Sequence, residues 1–208
     1  VLLVHGGFWK TTYDRTHTRP MARALTAAGY VVLSPEYRRV DPRDPGAGPG
    51  GWPRTAEDVR CAAEAAPELL AGLGVEMAGL RALGHSAGGH LVLWLATTGV
   101  PLVRVVGLAP VCDLGAALDQ GLGADAAHAF LGDADPAAAD PMVLFDRRPS
   151  VPVRIVHGVD DGPVPVDLSR ELLARHPWVD LIEVAGGHFE LIDPDSAQWP
   201  TVLGALAD

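Results

Sequence analysis

Short runs of Val, Leu and Ile recur along this chain, each followed by an amphipathic stretch, and that alternation leaves few folds open. The runs fall at residues 1–4, 30–34, 80–83, 104–108, 153–157 and 179–184. Several are apolar without a break, as strands buried on both faces must be. Between them the sequence reads as helix over roughly 19–28, 54–73, 87–97, 166–174 and 197–207. Pro53 and Thr55 supply a helix start and Gly29 a stop. Strand alternating with helix through short turns predicts an α/β fold, a mostly parallel central sheet with helices on both faces.

Two segments break the rhythm. Residues 40–51 are rich in Pro and Gly and read as a loop. Residues 114–148 carry weak periodicity, many alanines and several Asp-Pro or Ala-Asp turns between two strands. They read as a small helical cap over the top of the sheet. The expectation is therefore a single domain over 1–208 with a cap insertion at about 114–148. A length of 208 residues suits one domain with a sizeable core.

Charge narrows the partners. The net charge is −10 and Lys10 is the only lysine, which argues against nucleic acid and against an anionic membrane, since both need basic surface. No apolar run approaches the ~18 residues of a membrane span, and no signal peptide is visible. The chain begins at Val1 inside an apolar strand, which leaves room for residues upstream. A cytoplasmic setting is expected. Cys61 and Cys112 have neither CxxC nor metal-ligand spacing and read as two buried small apolar residues.

The chemistry centres on Gly84-His85-Ser86-Ala87-Gly88-Gly89, between the apolar run 80–83 and a helical pattern. A serine flanked by glycines on a strand-to-helix turn is a nucleophile elbow. Bulky side chains two residues before or after it would clash, so glycine stands at both places. A serine hydroxyl needs a base, and the base needs an orienting carboxylate. His188 follows the last apolar run in Gly186-Gly187-His188-Phe189. Asp161 follows the run ending at His157, with Asp160 as the less favoured alternative. Both positions are carboxyl ends of predicted parallel strands, where open α/β sheets place their sites. The order Ser86, Asp161, His188 is the one found on sheets of this kind.

Ala87 is expected to give one N–H to a developing oxyanion, and Gly7 and Phe8 of His5-Gly6-Gly7-Phe8-Trp9 the others. A phosphate loop is the alternative for these glycines, but no GxxxxGK[ST] pattern follows. His85 is not read as the base, because its ring should point away from the reacting face of the serine. With Trp9 and Phe189 it is counted among the residues expected to contact substrate. Trp52 and Phe130 are assigned to pocket or core at even weight. His90 reads as core or cap, His157 as a hydrogen-bonding brace of the acid loop, Asp113 as a helix N-cap, and His17, His128 and His176 as surface residues. No metal or organic cofactor is called for.

In combination, HGGFW, SPEYR, GHSAGG, HGVDDGPVP and GGHF resemble the α/β-hydrolase superfamily over nearly the whole chain. The HGGxW form is similar to the kynurenine formamidase (arylformamidase) and small carboxylesterase branch. The hormone-sensitive-lipase-like branch usually shows HGGG, where Phe8 stands here. The resemblance implies Ser86 as nucleophile, His188 as base, Asp161 as acid, and Gly7, Phe8 and Ala87 as backbone donors. Tyr37-Arg38 are treated as structural. Members of the superfamily usually carry two further strands before the HGG strand. The reading is a serine hydrolase acting on a small ester with a short or aromatic acyl group. The alternatives are an arylformamidase and a non-catalytic binding module on the same fold. The partner expected is a small-molecule ester or amide, with a homodimer as the assembly left open.

Overall fold

In the computed structural model, residues 1–41, 43 and 50–207 are described. Five strands among them form one parallel sheet in the order of the chain: β1 (Leu2–Val4), β2 (Arg81–His85), β3 (Arg104–Leu108), β4 (Val153–Gly158) and β5 (Asp180–Val184). Leu3 faces Leu83, Gly84 faces Gly107, and Ile155 faces Leu181 across successive pairs.

The apolar runs are continuous because the sheet has two buried faces. Leu2, Val4, Ala82, Val105, Val153 and Ile155 enter one core, with α2 (Arg54–Gly72), α3 (Ala87–Leu95) and α7 (Asp167–Arg175). Leu3, Leu83, Val106, Leu108 and Val156 alternate with them into a second core, closed by α1 (Arg19–Ala27) and α8 (Trp199–Leu206). The period of two along each strand thus divides its side chains between two helical layers.

The run at 30–34 does not become a strand. It contributes one parallel bridge, Leu33 to Leu2, with Leu3 N donating to Leu33 O at 2.7 Å and Leu33 N to Val1 O at 2.8 Å. Pro42 and residues 44–49 of the predicted 40–51 loop lie outside the described residues.

Between β3 and β4 the chain forms α4 (Leu114–Asp119), α5 (Leu122–Leu131) and α6 (Pro141–Leu144). Asp113 caps α4, accepting from Ala116 N at 2.8 Å. Two expected placements are corrected. Cys61 is exposed, while Cys112 is buried. The buried positions of α2 are 55, 56, 59, 63, 66 and 70, and 61 falls on the opposite face. His176 is buried rather than superficial, because its Nε2 reaches Met142 O at 2.9 Å and its ring packs beside Phe145 and Trp178.

Candidate active site

The end of β2 turns into α3 through Ser86, whose backbone is held at φ 56°, ψ −119°. A left-handed serine costs on the order of 1–3 kcal/mol and persists only where its surroundings fix it. Here Ser86 N donates to Leu108 O at 2.8 Å, and Ser86 O accepts from His90 N at 3.0 Å. The flanking glycines are required by the same crossing. A β-carbon at Gly84 would overlap the Gly88 carbonyl, and one at Gly88 would overlap the carbonyls of Val4 and His5. The start of α3 therefore lies too close for a side chain at Gly84, and the end of β1 too close for one at Gly88.

Asp161 lies just past β4, and His188 past β5. His188 Nδ1 donates to Asp161 Oδ2 at 2.6 Å, and Val164 N donates to Oδ1 at 2.8 Å. His157 Nε2, which donates to Val164 O at 2.9 Å, also stands 3.3 Å from Oδ2. Its Nδ1 meets Ser169 Oγ at 2.7 Å, so the ring braces the acid loop. Burial raises the Asp161 carboxyl, but the hydrogen bonds from His157, His188 and Val164 overcome it and hold the group down at about 2. Asp160, by contrast, is exposed.

The loop after β1 carries three successive left-handed residues, Gly7 (φ 112°), Phe8 (φ 51°) and Trp9 (φ 57°). Tyr37 anchors its start, donating to His5 O at 2.8 Å and stacking on the His5 ring at 4.2 Å. Lys10 Nζ ties its end to Gly123 O at the start of α5. Among the described residues, none accepts a hydrogen bond from the N–H of Gly7 or Phe8. Ala87, as the first residue of α3, has an N–H without an intrahelical acceptor.

A cavity of about 320 Å³ joins these parts, lined by Gly7, Phe8, His85, Ser86, His188 and Phe189 and walled further by Tyr13, His17, Pro163 and Ile192. Phe189 is 63% exposed and stands at its mouth. Four of these wall residues escaped the sequence reading, because they lie in loops or single 3-10 turns too short for periodicity to mark a facing side. The insertion contributes none of the lining residues described. It touches the site through Gly123, where a β-carbon would collide with the Phe8 ring.

Two expectations about ring side chains need correction, and one that was evenly weighted is decided. Trp9 does not reach the cavity: it is 1% exposed, stacked on Phe130 at 4.4 Å and edge-on to His90. The left-handed turn at Phe8 and Trp9 sends one ring to the cavity and the next into the core. Phe130 is core, and Trp52 packs beside it against Trp94. His85 does not point away from the serine's surroundings. Its ring lines the cavity and lies 4.5 Å from that of His188.

Two buried rings make the fold acid-sensitive. Burial, with a smaller contribution from His188, pushes His85 down to about 3, and burial pushes His90 down to about 4. Above the ordinary value of 6.5 both are neutral folded and unfolded, so no stability is lost. As pH falls below it, the unfolded chain takes up protons that the folded chain does not. At pH 5 this costs about 2 kcal/mol per ring. The melting temperature is expected to fall by about 10 °C between pH 7.5 and 5. A flat profile across that range contradicts the burial argument.

Among the described residues no group of three His, Cys, Asp or Glu side chains is placed to hold a metal. No helix among them is long and apolar enough to cross a membrane.

A family model described as BD-FAE matches residues 1–102, just short of half the chain. No curated protein matches the sequence. Among solved structures, an esterase from the planctomycete Thermogutta terrifontis is 21% identical with a TM-score of 0.75, over 99% of this chain and 82% of its own. An acetyl ester–xyloside bifunctional hydrolase from Caldicellulosiruptor lactoaceticus is 18% identical with a TM-score of 0.75, over 99% and 84%. A truncated carbohydrate esterase from gut microbiota is 17% identical with a TM-score of 0.73, over 100% and 85%. The fold is that of the α/β-hydrolases. These matches do not single out the formamidase branch.

Proposed function

We propose that this chain is a serine hydrolase that cleaves small carboxylic esters through an acyl-serine intermediate. The observation that carries the reading is the 2.6 Å bond from His188 to a carboxylate held ionised, on a cavity that also receives Ser86. Asp161 accepts from Nδ1, which leaves His188 Nε2 as the free base. In the proposed cycle His188 takes the proton of Ser86 as its oxygen attacks the ester carbonyl. The N–H groups of Gly7, Phe8 and Ala87 receive the oxyanion, and each such donor is worth about 3–4 kcal/mol. His188 then protonates the departing alcohol. Water repeats the sequence and frees the acid.

Size and lining support a small substrate. A cavity of about 320 Å³ with Phe8, Tyr13, Phe189 and Ile192 in its wall suits a short or aromatic acyl group. The comparison structures are esterases or ester hydrolases, which favours an ester over an aryl-formamide. The two free cysteines fit a reducing compartment, and a cytoplasmic setting belongs to the proposal.

The test is turnover of p-nitrophenyl esters of increasing acyl length beside N-formylkynurenine. The expected result is highest kcat/KM from acetate to butyrate, falling about tenfold or more by decanoate. Faster turnover of N-formylkynurenine than of any ester would move the assignment to amide hydrolysis. No turnover, with no labelling of Ser86 by a fluorophosphonate, would leave a binding module.

A further inference from the structure

The residue before Ser86 reaches the residue that would activate it. We propose that His85 is a positioning residue that sets the separation of Ser86 and His188, an inference resting on the hydrolase reading above. His85 Nε2 lies 3.0 Å from the main-chain oxygen of His188. A carbonyl only accepts, so Nε2 carries the hydrogen and Nδ1 is the bare nitrogen of a neutral ring. That Nδ1 is buried with no hydrogen-bond partner. It stands against Gly6, where a β-carbon would come within 2.9 Å of it.

One ring thus meets three parts of the site. It is bonded through the chain to the elbow, it packs on the loop that would supply the oxyanion donors, and it holds the loop bearing His188. That last loop needs holding. Gly186 (φ 100°) and Gly187 precede the base and bring no side chain of their own to fix its main chain. Asp161 secures the far side of the imidazole but permits rotation about the Nδ1 bond. The acid loop joins the same segment through Asp160 N to Gly186 O at 3.0 Å. Among the described residues, the bond from His85 is the one hydrogen bond between residues 84–88 and 185–189. Displacing a catalytic group by about 1 Å costs on the order of 10²-fold in rate.

The test compares two amides. Glutamine places its N–H₂ near the position of histidine Nε2, whereas asparagine stops near Nδ1. Rates are taken per active site, titrated with a fluorophosphonate, so that a loss of folded protein does not count. His85→Asn is expected to lower kcat for p-nitrophenyl acetate about 30-fold with KM within about twofold. Labelling of Ser86 should slow by a similar factor. His85→Gln should recover the rate to within about fivefold of wild type. Should the asparagine variant not fold, His85→Phe, which keeps the ring and drops the donor, takes its place with the same expected loss. Wild-type kcat per titrated site in the Asn or Phe variant, or equal losses in Gln and Asn, overturns the proposal. A wild-type protein that neither labels nor hydrolyses overturns the hydrolase reading instead.

Discussion

Ser86→Ala is expected to lower kcat/KM for p-nitrophenyl acetate by about 10⁴-fold or more, with no loss of folded protein. The two halves of that expectation have separate causes. Activity falls because no other hydroxyl among the described residues stands on the cavity beside His188 except that of Tyr13, which belongs to the outer wall. Folding survives because alanine keeps the β-carbon and asks for the same backbone. The left-handed conformation at 86 is imposed by Gly84 and Gly88 and by the bonds to Leu108 and His90, none of which involves the Ser86 hydroxyl. The melting temperature should stay within about 2 °C of wild type, since alanine carries the same backbone strain as serine at this position. Activity within tenfold of wild type would remove Ser86 from the mechanism.

Much of the architecture was legible because one physical rule governs it. A strand covered on both faces must be apolar throughout, so β2, β3 and β4 announce themselves and their ends locate the site loops. β3 matches its predicted span of 104–108, and the ends of β4 and β5 lie within one residue of theirs. The run at 30–34 shows where the rule fails. Its residues suit a strand, but strand formation depends on a continuous row of partners, and this run makes a single bridge, Leu33 to Leu2, with Val31 47% exposed. Local composition carries no record of how far a run will find backbone partners.

The candidate site divides the same way. Ser86, Asp161 and His188 were readable because each follows a strand and has glycines or a tight turn beside it. Contacts between loops were not. That His157 would share the carboxylate of Asp161 has a faint signal in the four-residue spacing across a turn, and the sequence reading reached only the bracing role. The contact of His85 with His188 spans 103 residues and has no local signal. Trp9 was misplaced because an aromatic after paired glycines suits a pocket wall as well as a core. Only the left-handed backbone at Phe8 and Trp9 decides between them.

Asp161→Asn is expected to cost about 10³–10⁴-fold in kcat, although it changes one atom. Val164 N and His188 Nδ1 both donate to the native carboxylate. An amide offers one oxygen and one N–H₂. If the oxygen takes the Val164 N–H, the N–H₂ faces His188 and demands an acceptor at Nδ1. The imidazole then carries its hydrogen on Nε2, toward Ser86, and has no lone pair there to take a proton. The reverse rotamer restores His188 but sets N–H₂ against Val164 N–H, a buried clash of donors. Stability should also change with a definite sign. The Asp161 carboxyl lies below its ordinary range when folded, so its contribution is present above about pH 4 and lost as pH falls toward 2. The asparagine variant should therefore melt lower than wild type at pH 7, with the gap closing as acid protonates the native group. Asp160→Asn is the control: its side chain is exposed, and kcat should change by less than about threefold. Comparable losses at both aspartates would mean that the carboxylate facing His188 is not what orients it.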